Sequence, residues 1–196
     1  MVQPLGSIAD TSRELADSMN DIVWALDPRR GYLNDLTSRM RHFANETLSA
    51  ADIEINFQAP LEGADASVPA EIRRDIFRIF KESINNIVRH SHARRVEVLI
   101  ELRQAEMLIK LRDDGQGFEV DRSAKEEGHG LFSMRTRAIR MGGRLEVASK
   151  PGVGTTIILF VPLASKGSSA GRILTLLSHW LPLPRNKGSP QTKTQC

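Results

Sequence analysis

Two runs of alternating character, "RRVEVLIELR" (residues 94–103) and "EMLIKLRD" (residues 106–113), are separated only by Gln104 and Ala105. Side chains along a strand point to opposite faces in turn, so each run reads as a strand with one apolar face. A parallel partner would need a crossover of about a dozen residues or more; two residues allow only a hairpin. The pair is therefore antiparallel, and its apolar face must be covered by other elements. A second pair follows, "GGRLEVASK" and "GTTIILFVPL", turning at "PGVG". Long antiparallel pairs of this kind argue against a doubly wound parallel sheet.

The rest of the chain supplies the cover. Leu15, Met19, Ile22, Val23 and Leu26 recur at near-heptad spacing and predict a helix. "DPRRG" (residues 27–31) ends it, because Pro28 disfavours helical geometry at Asp27 and Gly31 supplies a turn. A second amphipathic helix carries Leu33, Leu36, Met40, Phe43 and Leu48 on one stripe. "IEINFQ" (residues 53–58) alternates like a short half-buried strand, "APLEGADASVP" is a loop, and a long helix runs from Ala70 to about His90. A polar stretch, "EVDRSAKEEGHG", leads to a further helix over residues 131–141. The order predicts a two-layer α/β sandwich, with a largely antiparallel sheet packed on helices.

Composition narrows the function classes. With 40% apolar and 26% charged residues, 196 residues can bury an ordinary core without a disulfide or metal staple. The formal charge of +3 is misleading as a sign of nucleic-acid binding. All 24 acidic residues and 22 of the 27 basic ones precede Ser165, so the positive excess belongs to the tail. No basic, aromatic-interleaved face remains, and a direct nucleic-acid partner is not expected. The single cysteine, Cys196, permits no disulfide within one chain, which fits a reducing compartment. No apolar run approaches the roughly 20 residues that span a bilayer. The first residues lack the basic flank and apolar segment of a signal peptide, so a cytoplasmic location is expected. After Leu163 the sequence turns to Ser, Gly, Lys, Pro and Thr around one apolar patch, "ILTLLSHWLPLP", and a basic disordered tail is expected over residues 164–196.

Four short motifs carry the chemistry. On the long helix, Ile72, Ile76, Ile79, Phe80, Ser83, Ile87 and Val88 form an apolar arc, with Glu82 and Asn86 at one margin and His90 a turn further. An acid and an amide at a core margin must find partners or border a polar cleft; a plain solvated face accounts well for Asn85 and Arg89 but less well for the Glu82–Asn86 pair. Zinc fits poorly, for there is no HExxH pattern and no cysteine pair. Mg²⁺ prefers oxygen ligands and needs only one or two from the protein when phosphates supply others, which suits an amide beside a carboxylate. In "RDDGQGF" an Asp at a strand end precedes Gly115 and Gly117, a pattern suited to accepting an amine such as that of adenine. A simple strand-ending turn has the same look. "GHGLFSMRTRA" sets Gly128 and Gly130 before a helix, where free N–H groups and the helix dipole favour phosphate. "GVGTT" (residues 152–156) is another glycine turn before a strand. No GxxxxGK[ST] loop and no HRD or DFG set is present.

Taken in order, E-x-x-x-N on a helix, D-x-G-x-G after a strand, G-x-G-L opening a helix and G-x-G-T-T before a strand resemble the ATP-binding domain of the histidine kinase, gyrase and Hsp90 superfamily. The resemblance covers Glu71 to Pro162 and implies a Bergerat-type fold. "NNIVRHSHA", "GHGLFSMRTRA" and "MGGRLEVASKPGVGTTIILFVPL" are similar to sensor histidine kinases that partner NarL-type response regulators. "SMNDIVWALDPRRGYLNDLTSRMRHFA" resembles the end of their dimerisation helix and the linking segment. The implied organisation is a partial dimerisation helix (residues 1–28), a linker helix (29–52), the ATP-binding domain (53–163) and the tail. The resemblance also implies ATP and Mg²⁺ as cofactors, and the following roles. Asn86 coordinates Mg²⁺ and Glu82 positions a water or assists proton transfer. Arg89 and His90 lie toward the phosphates. Asp113 accepts from the adenine amine, Gly115 and Gly117 shape the pocket, and Thr155 completes it. Gly128 and Gly130 hinge a lid over residues 119–129 and present backbone amides, with Leu131 opening the helix behind them.

One departure matters. The family's phosphoacceptor histidine sits on the first dimerisation helix in a His-Asp or His-Glu context, and none of the histidines at 42, 90, 92, 129 and 179 fits it. The chain therefore reads as a kinase that begins partway through its second dimerisation helix. It would phosphorylate a histidine on another chain or on a missing segment, and meet the response regulator only indirectly. Two other readings are a truncated nucleotide-binding interaction protein without kinase activity, and a stand-alone ATPase or anti-sigma-type serine kinase.

Overall fold

The computed structural model describes Met19, Trp24, Asp27 and residues 31–60, 66–103, 106–119 and 129–163. The rest of the expected first helix, residues 120–128 of the expected lid with Gly128 among them, and the tail lie outside the described residues. Helix α1 spans Leu33–Ser49, β1 Glu54–Gln58, α2 Ala70–Asn86, β2 Arg95–Arg103, β3 Glu106–Asp113, α3 His129–Arg140, β4 Arg144–Lys150 and β5 Gly154–Pro162. Helix α2 continues into a π-helical turn, Ile87–Ser91.

The strands form one sheet in the order β1-β2-β3-β5-β4. Both expected hairpins are antiparallel, with Val96 opposite Asp113 in one and Val147 opposite Ile157 in the other. Strand β1 runs parallel to β2, a pairing that α2 makes feasible as the crossover between them. The sheet is thus mixed but largely antiparallel.

Alternation explains which face is covered. Val96, Val98 and Ile100 of β2, Ile109 and Leu111 of β3, and Ile157, Leu159 and Val161 of β5 are all buried. They share one core with Ile76, Ile79, Phe80 and Ile84 of α2, Met134 and Ala138 of α3, and Leu33, Leu36, Met40, Ala44 and Leu48 of α1. Full burial of each large apolar side chain contributes about 1.5–3 kcal/mol. The stripe of α1 thus packs into the same core as the sheet, with Phe43 edge-on to Phe77 at 5.9 Å. Trp24 lies 6.0 Å from the same Phe77 ring, and the Arg39 guanidinium stands 4.4 Å over Trp24.

Two departures from the helical arc of α2 have physical causes. Val88 is 38% exposed, because the i→i+5 spacing of the π turn shifts the phase of everything after Asn86. Asp75 is only 2% exposed although it is a carboxylate with Arg73 and Arg74 just before it in sequence. Arg140 accounts for it: its Nη2 donates to Asp75 Oδ2 at 2.6 Å and Oδ1 at 2.7 Å, and its Nε to Oδ2 at 3.1 Å. Arg74 and Arg137 stand 3.8 Å from the same carboxylate. Ser83 Oγ meets Met134 Sδ at 3.4 Å midway along. Helix α3 therefore runs antiparallel to α2, with Arg140 at the Asp75 end and Gly130 beside Glu82.

Candidate nucleotide site

A cleft of about 530 Å³ opens between the end of α2, the loop after β3, the start of α3 and the start of β5. Of the residues singled out from sequence, Glu82, Asn86, Arg89, His90, Asp113, Gly117, Gly130, Leu131 and Thr155 line it together. Gly115 does not line the cleft; it lies directly against Ser91 at the end of the π turn. Gly128 is outside the described residues.

One end of the cleft is built on the sheet. Asp113 closes β3 and is 4% exposed, with Oδ1 accepting the Gly115 N–H at 2.9 Å. Burial pushes its carboxyl above the usual carboxylate range, against the pull of the Gly115 and Thr155 N–H groups. Its neighbour Asp114 points the other way and accepts the Arg94 and Arg95 N–H groups at 2.8 and 2.9 Å. Those two hydrogen bonds, chiefly that from Arg95, hold Asp114 below the usual range. The pair in "RDDG" thus divides its work: one carboxyl faces the cleft, and the other ties the start of β2 to the loop after β3. Gly117 has φ +60, and a Cβ there would overlap the Lys150 carbonyl, so the turn needs glycine. Ser149, opposite Thr155 across β4 and β5, accepts the Phe118 N–H at 2.9 Å and sits 2.9 Å from Thr155 Oγ1.

The other end is built on helix termini. Glu82 and Asn86 are half-buried on α2, as the margin of its apolar arc requires, while Arg89 and His90 on the π turn are exposed. The start of α3 closes on them: a Cβ on Gly130 would stand 2.5 Å from Glu82 Oε1 and 3.7 Å from Asn86 Nδ2. A side chain at this position would push the Glu82 carboxylate aside, so glycine leaves the pair undisturbed. Among the described residues no group of three or more His, Cys, Asp or Glu could hold a metal. The donor set at this end is one carboxylate and one amide, which fits Mg²⁺ sharing its coordination with waters and phosphate oxygens and does not fit a protein-only cage.

Sequence reasoning missed Ser83, Ile87, Ser91, Leu111, Gln116, Phe118 and Ile157, which also line the cleft. Four of them are apolar and carry no chemical signature in a sequence. Ser91 and Gln116 carry polar groups, but only their hydrogen bonds in the fold show what they do.

Residues 71–165 match the family described as histidine kinase-, DNA gyrase B-, and HSP90-like ATPase. The chain is 33% identical over 134 residues to the sensor histidine kinase LiaS of Bacillus subtilis (strain 168), a match covering 68% of this chain and 35% of that protein. It is 36% identical over 107 residues to the sensor protein VraS of Staphylococcus epidermidis, covering 55% of this chain and 30% of that one. The chain thus spans about a third of the length of these curated relatives. The blue-light activated histidine kinase EL346 of Erythrobacter litoralis shares the fold at a TM-score of 0.66 and 22% identity, over 84% of this chain and 53% of that one. Among the described residues no helix is long and apolar enough to cross a membrane. Residues 71–165 are therefore an ATP-binding domain of the histidine kinase-, DNA gyrase B-, and HSP90-like ATPase family.

Proposed function

We propose that this chain is the Mg²⁺·ATP-binding catalytic part of a two-component sensor histidine kinase of the kind that partners NarL-type response regulators. The observation that carries the reading is the pairing, in one cleft, of a buried carboxylate on the sheet (Asp113) with a half-buried Glu82–Asn86 pair on a helix end. A flat base with an exocyclic amine suits the first, and a phosphate chain suits the second. The adenine amine donates to Asp113, while Thr155 and Gly117 shape the base pocket and Gly115 backs it from outside the cleft against Ser91. Asn86 is the Mg²⁺ ligand; the ion, when bound, neutralises charge on the phosphate oxygens. Arg89, His90 and the backbone N–H groups at Gly130 and Leu131 face the phosphates. Glu82 orients a water or takes the proton released in transfer, as positioned general bases do.

The γ-phosphate acceptor is a histidine on a dimerisation and phosphoacceptor domain, on another chain or on a segment not seen here, since none of the five histidines matches the family's pattern. The response regulator is met only through that histidine. Residues 1–28 serve in dimerisation and 29–52 as linker, residues 53–163 as the catalytic unit, and the setting is cytoplasmic. Two experiments test the reading. Isothermal titration should detect Mg²⁺·ATP binding by the parent and its loss in Asn86→Ala; equal binding by both would remove the site assignment. Radiolabelled ATP should label an added dimerisation domain and leave the chain alone unlabelled; labelling of the isolated chain would sink transfer in trans.

A further inference from the structure

The two ends of the cleft belong to different elements, and Gln116 joins them. Its backbone N–H donates to the Ser91 carbonyl at 2.7 Å, and its side-chain Nε2 donates to the His90 carbonyl at 2.7 Å. Its own carbonyl accepts the Gly152 N–H at 2.6 Å, from the turn between β4 and β5. The carbonyls concerned are the last of the π-helical turn, which ends at Ser91 before His92 turns left-handed at φ 52. Helix-end carbonyls have no partner within their own helix and must be satisfied from elsewhere. Ser91 Oγ satisfies Ile87 O at 2.8 Å, and Gln116 satisfies the carbonyls of His90 and Ser91.

We infer that Gln116 is a positioning residue: its side-chain amide holds the π turn that carries Arg89 and His90 at a set distance from the Asp113 loop, and so fits the cleft to a ligand that reaches both ends. The inference rests on the nucleotide reading of the cleft. A ligand confined to the sheet end, such as adenosine, does not use the spacing that Gln116 sets. A ligand that also carries phosphates does. Losing one hydrogen bond of this kind loosens the turn, and a nucleoside triphosphate must then order it on binding.

The test uses the full chain with two variants, Gln116→Ala and Gln116→Met. The second keeps the length of the side chain and removes only the donor, which separates lost packing from the lost hydrogen bond. Titration with Mg²⁺·ATP should give a Kd about three- to ten-fold weaker in both variants, while adenosine binds within about two-fold of the parent. Hydrogen exchange in the ligand-free protein should be faster over residues 87–93 in both variants; a residue acting only by touching phosphate would leave it unchanged. Equal weakening of both ligands, unchanged Mg²⁺·ATP affinity, or unchanged exchange over that segment would overturn the inference. A parent that bound neither ligand would overturn the nucleotide reading and this inference with it. Normal parent binding with no discrimination in the variants would overturn this inference alone.

Discussion

Replacing Asp113 by asparagine exchanges one oxygen for an amide group and should move affinity and stability in opposite directions. The Asp113 side chain is 4% exposed and, as a carboxylate, accepts the amine of the base in the proposed complex. A hydrogen bond to a charged group is worth about 1.5–3 kcal/mol, so the Kd for Mg²⁺·ATP should rise roughly ten- to hundred-fold. Stability follows from burial, which raises the native carboxyl above its ordinary value. The folded protein then holds that proton to higher pH than the unfolded chain does, so ionisation costs the folded state. The cost sets in as pH rises from the ordinary value through the raised one, and is complete above it. Asparagine resembles the neutral acid and escapes the cost while still offering an oxygen to the Gly115 N–H. The ligand-free variant should therefore melt above the parent at neutral pH, with the advantage fading in acid below the ordinary carboxylate value. Titration calorimetry and thermal unfolding at the two pH values check both halves. An affinity loss under three-fold would remove the base contact, and a lower melting temperature at neutral pH would refute the burial argument.

Other perturbations have equally definite outcomes. Asp114→Asn should lower stability at neutral pH and lose that effect in acid, because the Arg95 and Arg94 N–H groups hold Asp114 below its ordinary value; its contribution is present above that value and fades as pH falls through the depressed one. Thermal unfolding across pH reads this, and a deficit that persisted in strong acid would count against it. Phe80→Ala should cost about 3–5 kcal/mol in urea unfolding, since Phe80 is 1% exposed and edge-on to Phe57 at 6.4 Å. Asp75→Ala should lower the melting temperature more than Arg140→Ala, because it strands Arg74, Arg137 and Arg140 beside a site only 2% exposed; equal losses would show that the carboxylate acts through Arg140 alone.

What the sequence made legible was what periodicity governs. Both hairpins, the helical stripes of α1 and α2, and the two-layer arrangement follow from periods of two and about 3.6. The glycine motifs were legible because a missing side chain is itself a signal: Gly117 and Gly130 stand where a Cβ would meet the Lys150 carbonyl and the Glu82 carboxylate. The π turn was not legible, since one extra residue in a turn leaves no compositional mark, and Val88 was placed on the wrong face for that reason. Nor was the burial of Asp75, whose partner Arg140 lies 65 residues away. Gln116 and Ser91 escaped because their work is done by backbone groups and single hydrogen bonds, which no residue type announces.

The division of the cleft between strand ends and helix ends bears on turnover. In the proposed complex ATP and ADP present the same base and sugar to Asp113 and Thr155, so the sheet end would not tell one from the other. In the proposed complex, everything that differs between them would reach Glu82, Asn86, the π turn and the start of α3, which line the other end of the cleft. Exchanging spent nucleotide for fresh thus asks nothing of the five strands. On the proposed reading only the helix termini would have to rearrange, and their rearrangement would set how quickly the protein could be recharged.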